Sequence, residues 1–251
     1  MTGIKSYGKC IFCNKEFSEA AISRHLASHL AKNAAGESLG NSYHVRIENI
    51  PDSGASLYFL NIGIDGKATF RNLDIFLRQI WLECCGHGSE FRIIKQKNPN
   101  EQSLVDAESL LMEIDPVEIN RDTKVEDIFT KGLQLEYEYD FGSTTALKIT
   151  VLEQYPVSAG ENIVLLSRNE PLAIMCDLCG KNPATQICSV CRNENANVFC
   201  DGCAGLHAET CIDFAQYGAM PVVNSPRMGV CGYEGSLITT ESGRDGAYVK
   251  R

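Results

Sequence analysis

Residues 72–84 read Asn-Leu-Asp-Ile-Phe-Leu-Arg-Gln-Ile-Trp-Leu-Glu-Cys, and Leu73, Phe76, Leu77, Ile80, Trp81 and Cys84 fall at i, i+3, i+4, i+7, i+8 and i+11. That spacing follows the helical period, so Asn72 is expected to cap a helix with one continuous apolar stripe. Upstream, Tyr43, Val45, Ile47 and Asn49 alternate with His44, Arg46 and Glu48, the pattern of a half-buried strand. A second run, LYFLNIGI at 57–64, meets Asp65-Gly66, a hairpin signal, with KATF at 67–70 as the returning arm. Downstream come a short strand near Phe91 and Ile93, a short helix over 125–130 stopped by Gly132, and alternating strands at 133–141 and 145–153. The order predicts an α+β fold, a β-grasp-like mixed sheet packed on one main helix.

Composition sets the frame around that core. The chain has 251 residues, 44% hydrophobic and 22% charged, enough for one ordinary domain with small appendages. No run approaches the roughly eighteen consecutive apolar residues of a membrane helix, and residues 1–10 lack an apolar signal-peptide core. A cytoplasmic protein with no membrane partner is expected. The formal charge of −9 argues against wrapping a nucleic-acid backbone with the whole surface, which needs clustered Lys and Arg. Residues 101–140 hold twelve Asp or Glu against Arg121, Lys124 and Lys131, a solvated acidic face or a docking surface for a basic partner.

The chain carries twelve cysteines and five histidines. With no export signal, Cys-x2-Cys pairs trailed by His point to metal ligation rather than disulfides, and thiolate plus imidazole is a zinc donor set. At the amino terminus, Cys10-x2-Cys13-x11-His25-x3-His29 places two thiols on one tight turn and two imidazoles on one helix face. Phe17 and Ile22 lie between them, where a finger needs apolar contacts beneath its helix. The set resembles the zinc-finger family with two cysteines and two histidines, with one residue fewer than usual between Cys13 and His25. DNA-reading members carry long polar side chains where SEAAISRHLASHL has Ala20, Ala21 and Ala27, which leaves Arg24 as the base-reading candidate. A structural or protein-binding finger is the expectation.

A second set runs Cys176-x2-Cys179-x8-Cys188-x2-Cys191-x8-Cys200-x2-Cys203-x3-His207-x3-Cys211, eight candidate ligands in 36 residues. So short a segment buries little apolar surface, and each structural zinc should supply on the order of 10 kcal/mol of its folding free energy. The alternation is similar to cross-braced modules such as B-boxes and MYND fingers. That resemblance implies Cys176, Cys179, Cys200 and Cys203 on one ion and Cys188, Cys191, His207 and Cys211 on the other, and a protein partner. A sequential pairing stays open, because Cys203, His207 and Cys211 are spaced by four. Either pairing fills all four positions with protein ligands and leaves no open position for hydrolytic water.

Cys84, Cys85 and His87 allow a thiol enzyme in which His87 activates Cys85. Against it, Cys84 lies on the apolar stripe, His87 follows Gly86 at a helix end, and adjacent cysteines rarely face one ion without strain. Cys231 is read as a packing residue. Three longer words surround these residues: LDIFLRQIWLECCGHGSEF at 73–91, LEYEYDFGSTTALKITV at 135–151 and PVVNSPRMGVCGY at 221–233. They resemble the Ri-plasmid open-reading-frame-three-like family, also labelled insertion-element passenger, TnpR-like, over about 43–170. Ser143-Thr144-Thr145-Ala146 replaces an acidic, Trp-containing stretch of that family, and neither recombinase nor nuclease residues can be assigned.

The expectation is therefore a zinc-finger segment (1–35), an α+β domain (43–170), a double-zinc module (171–215) and a tail (216–251) whose docking on the core is left open. Three structural zinc ions and a protein partner are expected, with no catalytic residue assigned. The alternative is a nucleic-acid-binding factor tied to mobile elements, with Arg24, Lys32, Arg92, Lys95 and Lys97 as contacts. Oligomeric state is not legible in the sequence.

Overall fold

The computed structural model describes residues 4–33, 40–51, 54–94, 118–191, 196–236 and 238. Strands β1 (Tyr7–Lys9) and β2 (Glu16–Ser18) form a hairpin that leads into α1 (Glu19–Asn33). Then follow β3 (Ser42–Asn49), β4 (Phe59–Asp65), α2 (Phe70–Leu77), β5 (Ser89–Ile93), β6 (Gln134–Tyr139), β7 (Thr145–Tyr155) and β8 (Ile163–Arg168). The carboxyl-terminal module holds β9 (Gln186–Cys188), β10 (Val198–Phe199), α3 (Asp201–Thr210) and β11 (Ala219–Pro221).

Strands β3 to β8 make one six-stranded sheet in the order β5-β6-β7-β3-β4-β8. The α+β class and the packing of one main helix on the sheet match the expectation. The strand directions do not match a mixed sheet, since every strand pairing among the described residues is antiparallel. The expected KATF return is also absent. Lys67 and Ala68 run straight into α2, and β4 is flanked by β3 and by β8, about a hundred residues downstream.

The cap of helix α2 lies three residues before the expected one. Thr69 is the N-cap: its side chain accepts from the Asn72 amide, while the Asn72 side chain accepts from the Thr69 amide. This is a capping box with Asn in the place usually held by Glu or Gln. The helix widens into a π-type turn over Arg78–Leu82 and stops at Glu83, whose backbone is extended. Leu73, Phe76, Leu77, Ile80 and Trp81 are fully buried in the main core. Asp74, on the same helix, is buried too: its carboxylate accepts from Tyr137 Oη (2.7 Å), Ser89 Oγ (2.6 Å) and Arg78 Nε (2.9 Å).

Alternation along β3 and β4 sorts the two faces of the sheet. Tyr43, Val45 and Ile47 with Leu60, Ile62 and Ile64 meet α2, whereas Phe59 packs with Ile22 and Leu26 of the amino-terminal segment. Arg46 reaches the Glu19 carboxylate and carbonyl, and Ser23 donates to Asn61 (2.7 Å), so α1 is bonded to β3 and β4. Close approach of β1 requires Gly8: a Cβ there would lie 2.7 Å from Ser167 Oγ and 2.9 Å from Arg168 O.

The described part of the tail lies on the core. Ser225 Oγ donates to the carbonyl of Trp81 (2.7 Å), and Arg168 donates to the carbonyls of Asn224 and Ile238. No helix among the described residues is long and apolar enough to cross a membrane.

Candidate metal centres

Every one of the twelve cysteines, with four of the five histidines, falls into one of four quartets whose donor atoms lie within 4.8 Å of one another. Each quartet could hold a metal ion. His44 is the histidine left over, buried and bonded to Asn61 (2.9 Å).

The first quartet is Cys10, Cys13, His25 and His29. Asn14 adopts a left-handed backbone (φ 59°), and its amide donates to the Cys10 carbonyl (2.8 Å), curling the turn so that both thiols face inward. Helix α1 presents His25 and His29 one turn apart, with Cys13 Sγ 3.2 Å from His25 Nε2. Phe17 stacks on His25 at 3.9 Å between ring centroids and Phe12 on His29 at 5.1 Å, which fixes both rings. Burial, then the neighbouring His29, holds His25 below the usual imidazole range and so favours the neutral, ligating form.

Cys176, Cys179, Cys200 and Cys203 form the second quartet, and Cys188, Cys191, His207 and Cys211 the third. The cross-braced pairing is thus the one the fold makes. Strand β9 leads into the second knuckle and antiparallel β10 leads on to Cys200, and α3 holds Cys203 in one quartet and His207, a turn later, in the other. Gly180 (φ 62°) closes the first knuckle as Asn14 closes the finger's, with its amide 2.8 Å from the Cys176 carbonyl. The Asp177 carboxylate accepts from the amides of Asn197 (2.9 Å) and Val198 (3.0 Å), binding that knuckle to β10. His207 stacks on Phe199, and its buried Nε2 has no hydrogen-bond partner among the described residues. An orphaned buried nitrogen is costly unless a ligand takes its place as partner, and this one is free to serve as the quartet's donor.

Distances agree with the same reading. Tetrahedral metal–sulfur bonds of about 2.3 Å put neighbouring sulfurs about 3.8 Å apart. Cys179–Cys200 and Cys191–Cys211 each stand at 3.9 Å. Without a cation the thiols oppose one another: burial, then the adjoining cysteines, pushes Cys191 and Cys203 up to about 12. Burial also raises Cys176, but the amides of Cys200, Cys179 and Leu178 outweigh it and bring that thiol to about 6.

The fourth quartet, Cys84, Cys85, His87 and Cys231, corrects the expectation that the first three stand apart from Cys231 and that adjacent cysteines would not converge. Sequence spacing gives no sign of it, because its members are separated by 144 residues or more across the gap from His87 to Cys231. Cys85 and His87 do meet, at 2.9 Å, but the Cys231 and Cys84 thiols push Cys85 up to about 12, away from an activated nucleophile.

Of the proposed nucleic-acid contacts, Arg24 and Lys32 are exposed on α1. Arg92 is paired with Glu90 and with Glu138 (3.3 Å), and Lys95 and Lys97 lie outside the described residues, as does 101–117 of the acidic stretch. No protein-family model matches the chain, and no curated protein matches it. Among solved structures the chain is similar to a protein of unknown function, MM3350 from Methanosarcina mazei Go1. The identity is 20% and the TM-score 0.36, over 51% of this chain and 68% of that one.

Proposed function

We propose that this is a non-enzymatic, zinc-stabilised protein-interaction factor, an adaptor or regulator, in which structural zinc at the first three quartets holds small recognition modules rigid. One observation carries the reading. Of ten exposed large hydrophobic side chains among the described residues, six (Met175, Leu178, Val190, Leu206, Ile212 and Tyr217) sit on the double-metal module or at its ends. Leu178 and Val190 are the tips of the two Cys-x2-Cys knuckles, and Leu206 and Ile212 flank His207 and Cys211. Apolar side chains held out on a metal-braced frame suit a protein partner, and a surface with Asp177, Asp201, Glu209 and Asp213 among them repels phosphate. The 43–170 core serves as scaffold, read as the Ri-plasmid-type domain its sequence words resemble, with no recombinase role.

The test begins with metal analysis of reduced, full-length protein, where zinc is expected at each of the three quartets. Partner capture is then compared for the zinc-loaded protein and for Leu206→Glu and Ile212→Glu. Capture should fall at least about tenfold in the variants while zinc content is unchanged, as for a central apolar contact. Unchanged capture would sink the reading. So would DNA binding that falls steeply with salt and is lost in Arg24→Ala, which is the nucleic-acid alternative.

A further inference from the structure

Three parts of the chain, 84–87, 139–145 and 225–233, converge on one place beside the end of the π-type turn. Cys84 and Cys85 leave that turn side by side, with their sulfurs 3.6 Å apart. Cys85 Sγ lies 2.9 Å from His87 Nε2 and 3.5 Å from Cys231 Sγ, and His87 Nε2 lies 3.3 Å from Cys231 Sγ. These separations match those of the quartets already described, although these donors come from the core helix end and from the tail.

We propose that Cys84, Cys85, His87 and Cys231 form a fourth zinc site, a clamp of three thiolates and one imidazole that locks the tail onto the sheet domain. Binding releases the three thiol protons to solvent and forms three sulfur–zinc bonds and one nitrogen–zinc bond. All four positions are filled from the protein, so the ion holds shape and offers no vacancy for water or substrate.

The surroundings fit a thiolate-rich ion. Zinc with three thiolates carries a net negative charge, and Arg227 stands next to it, fully buried, with Nη2 3.4 Å from Cys84 Sγ. The same guanidinium bonds Asp140 (2.6 Å), the Ser143 carbonyl (3.1 Å) and Thr145 Oγ1 (3.1 Å), and lies over the Tyr139 ring. Outer groups of this kind orient ligands and tune the ion. Cys231 itself sits in the left-handed region (φ 49°), between Gly229 (φ 75°) and Gly232 (φ 69°). For a residue with a Cβ that conformation is unfavourable and persists where other interactions hold it. The turn that imposes it aims Sγ at His87 and Cys85. Cys85 and Cys231 are also solvent-exposed, which gives an ion a path in.

Metal content of the reduced, full-length protein should be four zinc per chain, and three in Cys231→Ser. The other quartets serve as the internal standard: their failure lowers the count in both proteins, whereas failure of the clamp leaves the two proteins equal. Cys85→Ser provides the same readout should the first variant fold poorly. Amide exchange in 222–233 should accelerate in Cys231→Ser and stay unchanged in β6 and β7. Equal zinc in wild type and both variants would overturn the clamp, as would a Cys85–Cys231 disulfide in protein purified without reductant but in the presence of zinc.

Discussion

The buried carboxylate of Asp74 offers the sharpest energetic test of the core. Replacing it with alanine strands the Tyr137 hydroxyl, which is fully buried, and the Ser89 hydroxyl, each of which donates to Oδ1. An unsatisfied buried donor costs about 1–3 kcal/mol. Arg78 is less affected, because its Nη1 already pairs with Glu83 at 2.9 Å and its Nη2 with the His87 carbonyl and Ser89 Oγ. The sum for Asp74→Ala is about 3–5 kcal/mol, the range for breaking a buried charged network. At this chain length that lowers Tm by roughly 10 °C. Tyr137→Phe alone should cost about 1 kcal/mol, since Asp74 keeps Ser89 and Arg78. The double variant should be at least ~1 kcal/mol better than the sum of the singles, because removing Tyr137 Oη along with its acceptor leaves only the Ser89 hydroxyl stranded. Urea unfolding followed by fluorescence of Trp81, the single tryptophan and fully buried, reads all three variants. A loss below about 1 kcal/mol for Asp74→Ala, or strict additivity in the cycle, would refute the network argument.

Two further outcomes are expected. In the double-metal module, Cys179→Ser combined with Cys200→Ser removes two ligands of one quartet, so native mass spectrometry should show one zinc lost; a sequential pairing would lose two. Burial first, partly offset by the bond to Asn61, lowers His44 from 6.5 to about 4. The unfolded chain therefore takes up this proton first, and stability falls as pH drops from about 6.5 to about 4, by about 3 kcal/mol. The difference between wild type and His44→Gln in thermal melts across that window isolates the effect from acid loss of metal; parallel curves would contradict it.

Much of this architecture was legible in residue order. Period-3.6 spacing marked α2 and period-2 alternation marked β3, β6 and β7, because burial on one face writes itself into the sequence. Residue order leaves the start of α2 ambiguous because Thr69 and Asn72 are both good caps, and the use of Thr69 goes with burying Phe70. The KATF stretch read as a returning strand because Asp65-Gly66 is a hairpin signal. The true partner of β4 on that side, β8, is distant in the chain and leaves no local trace.

The candidate metal ligands divide along the same line. Cys-x2-Cys knuckles and histidines one helical turn apart are local geometry, so the residue types at those spacings by themselves point to the members of three candidate quartets. Which of these side chains come together in one quartet of the carboxyl-terminal module is decided only when β9 pairs with β10 and α3 spans both groups. The fourth quartet is decided by tertiary structure alone, since Cys231 reaches Cys85 across 146 residues of chain. Arg227, burying its charge against Asp140 and Cys84, fixes where the tail must lie, and no spacing rule spans contacts made by two distant segments folding onto one another.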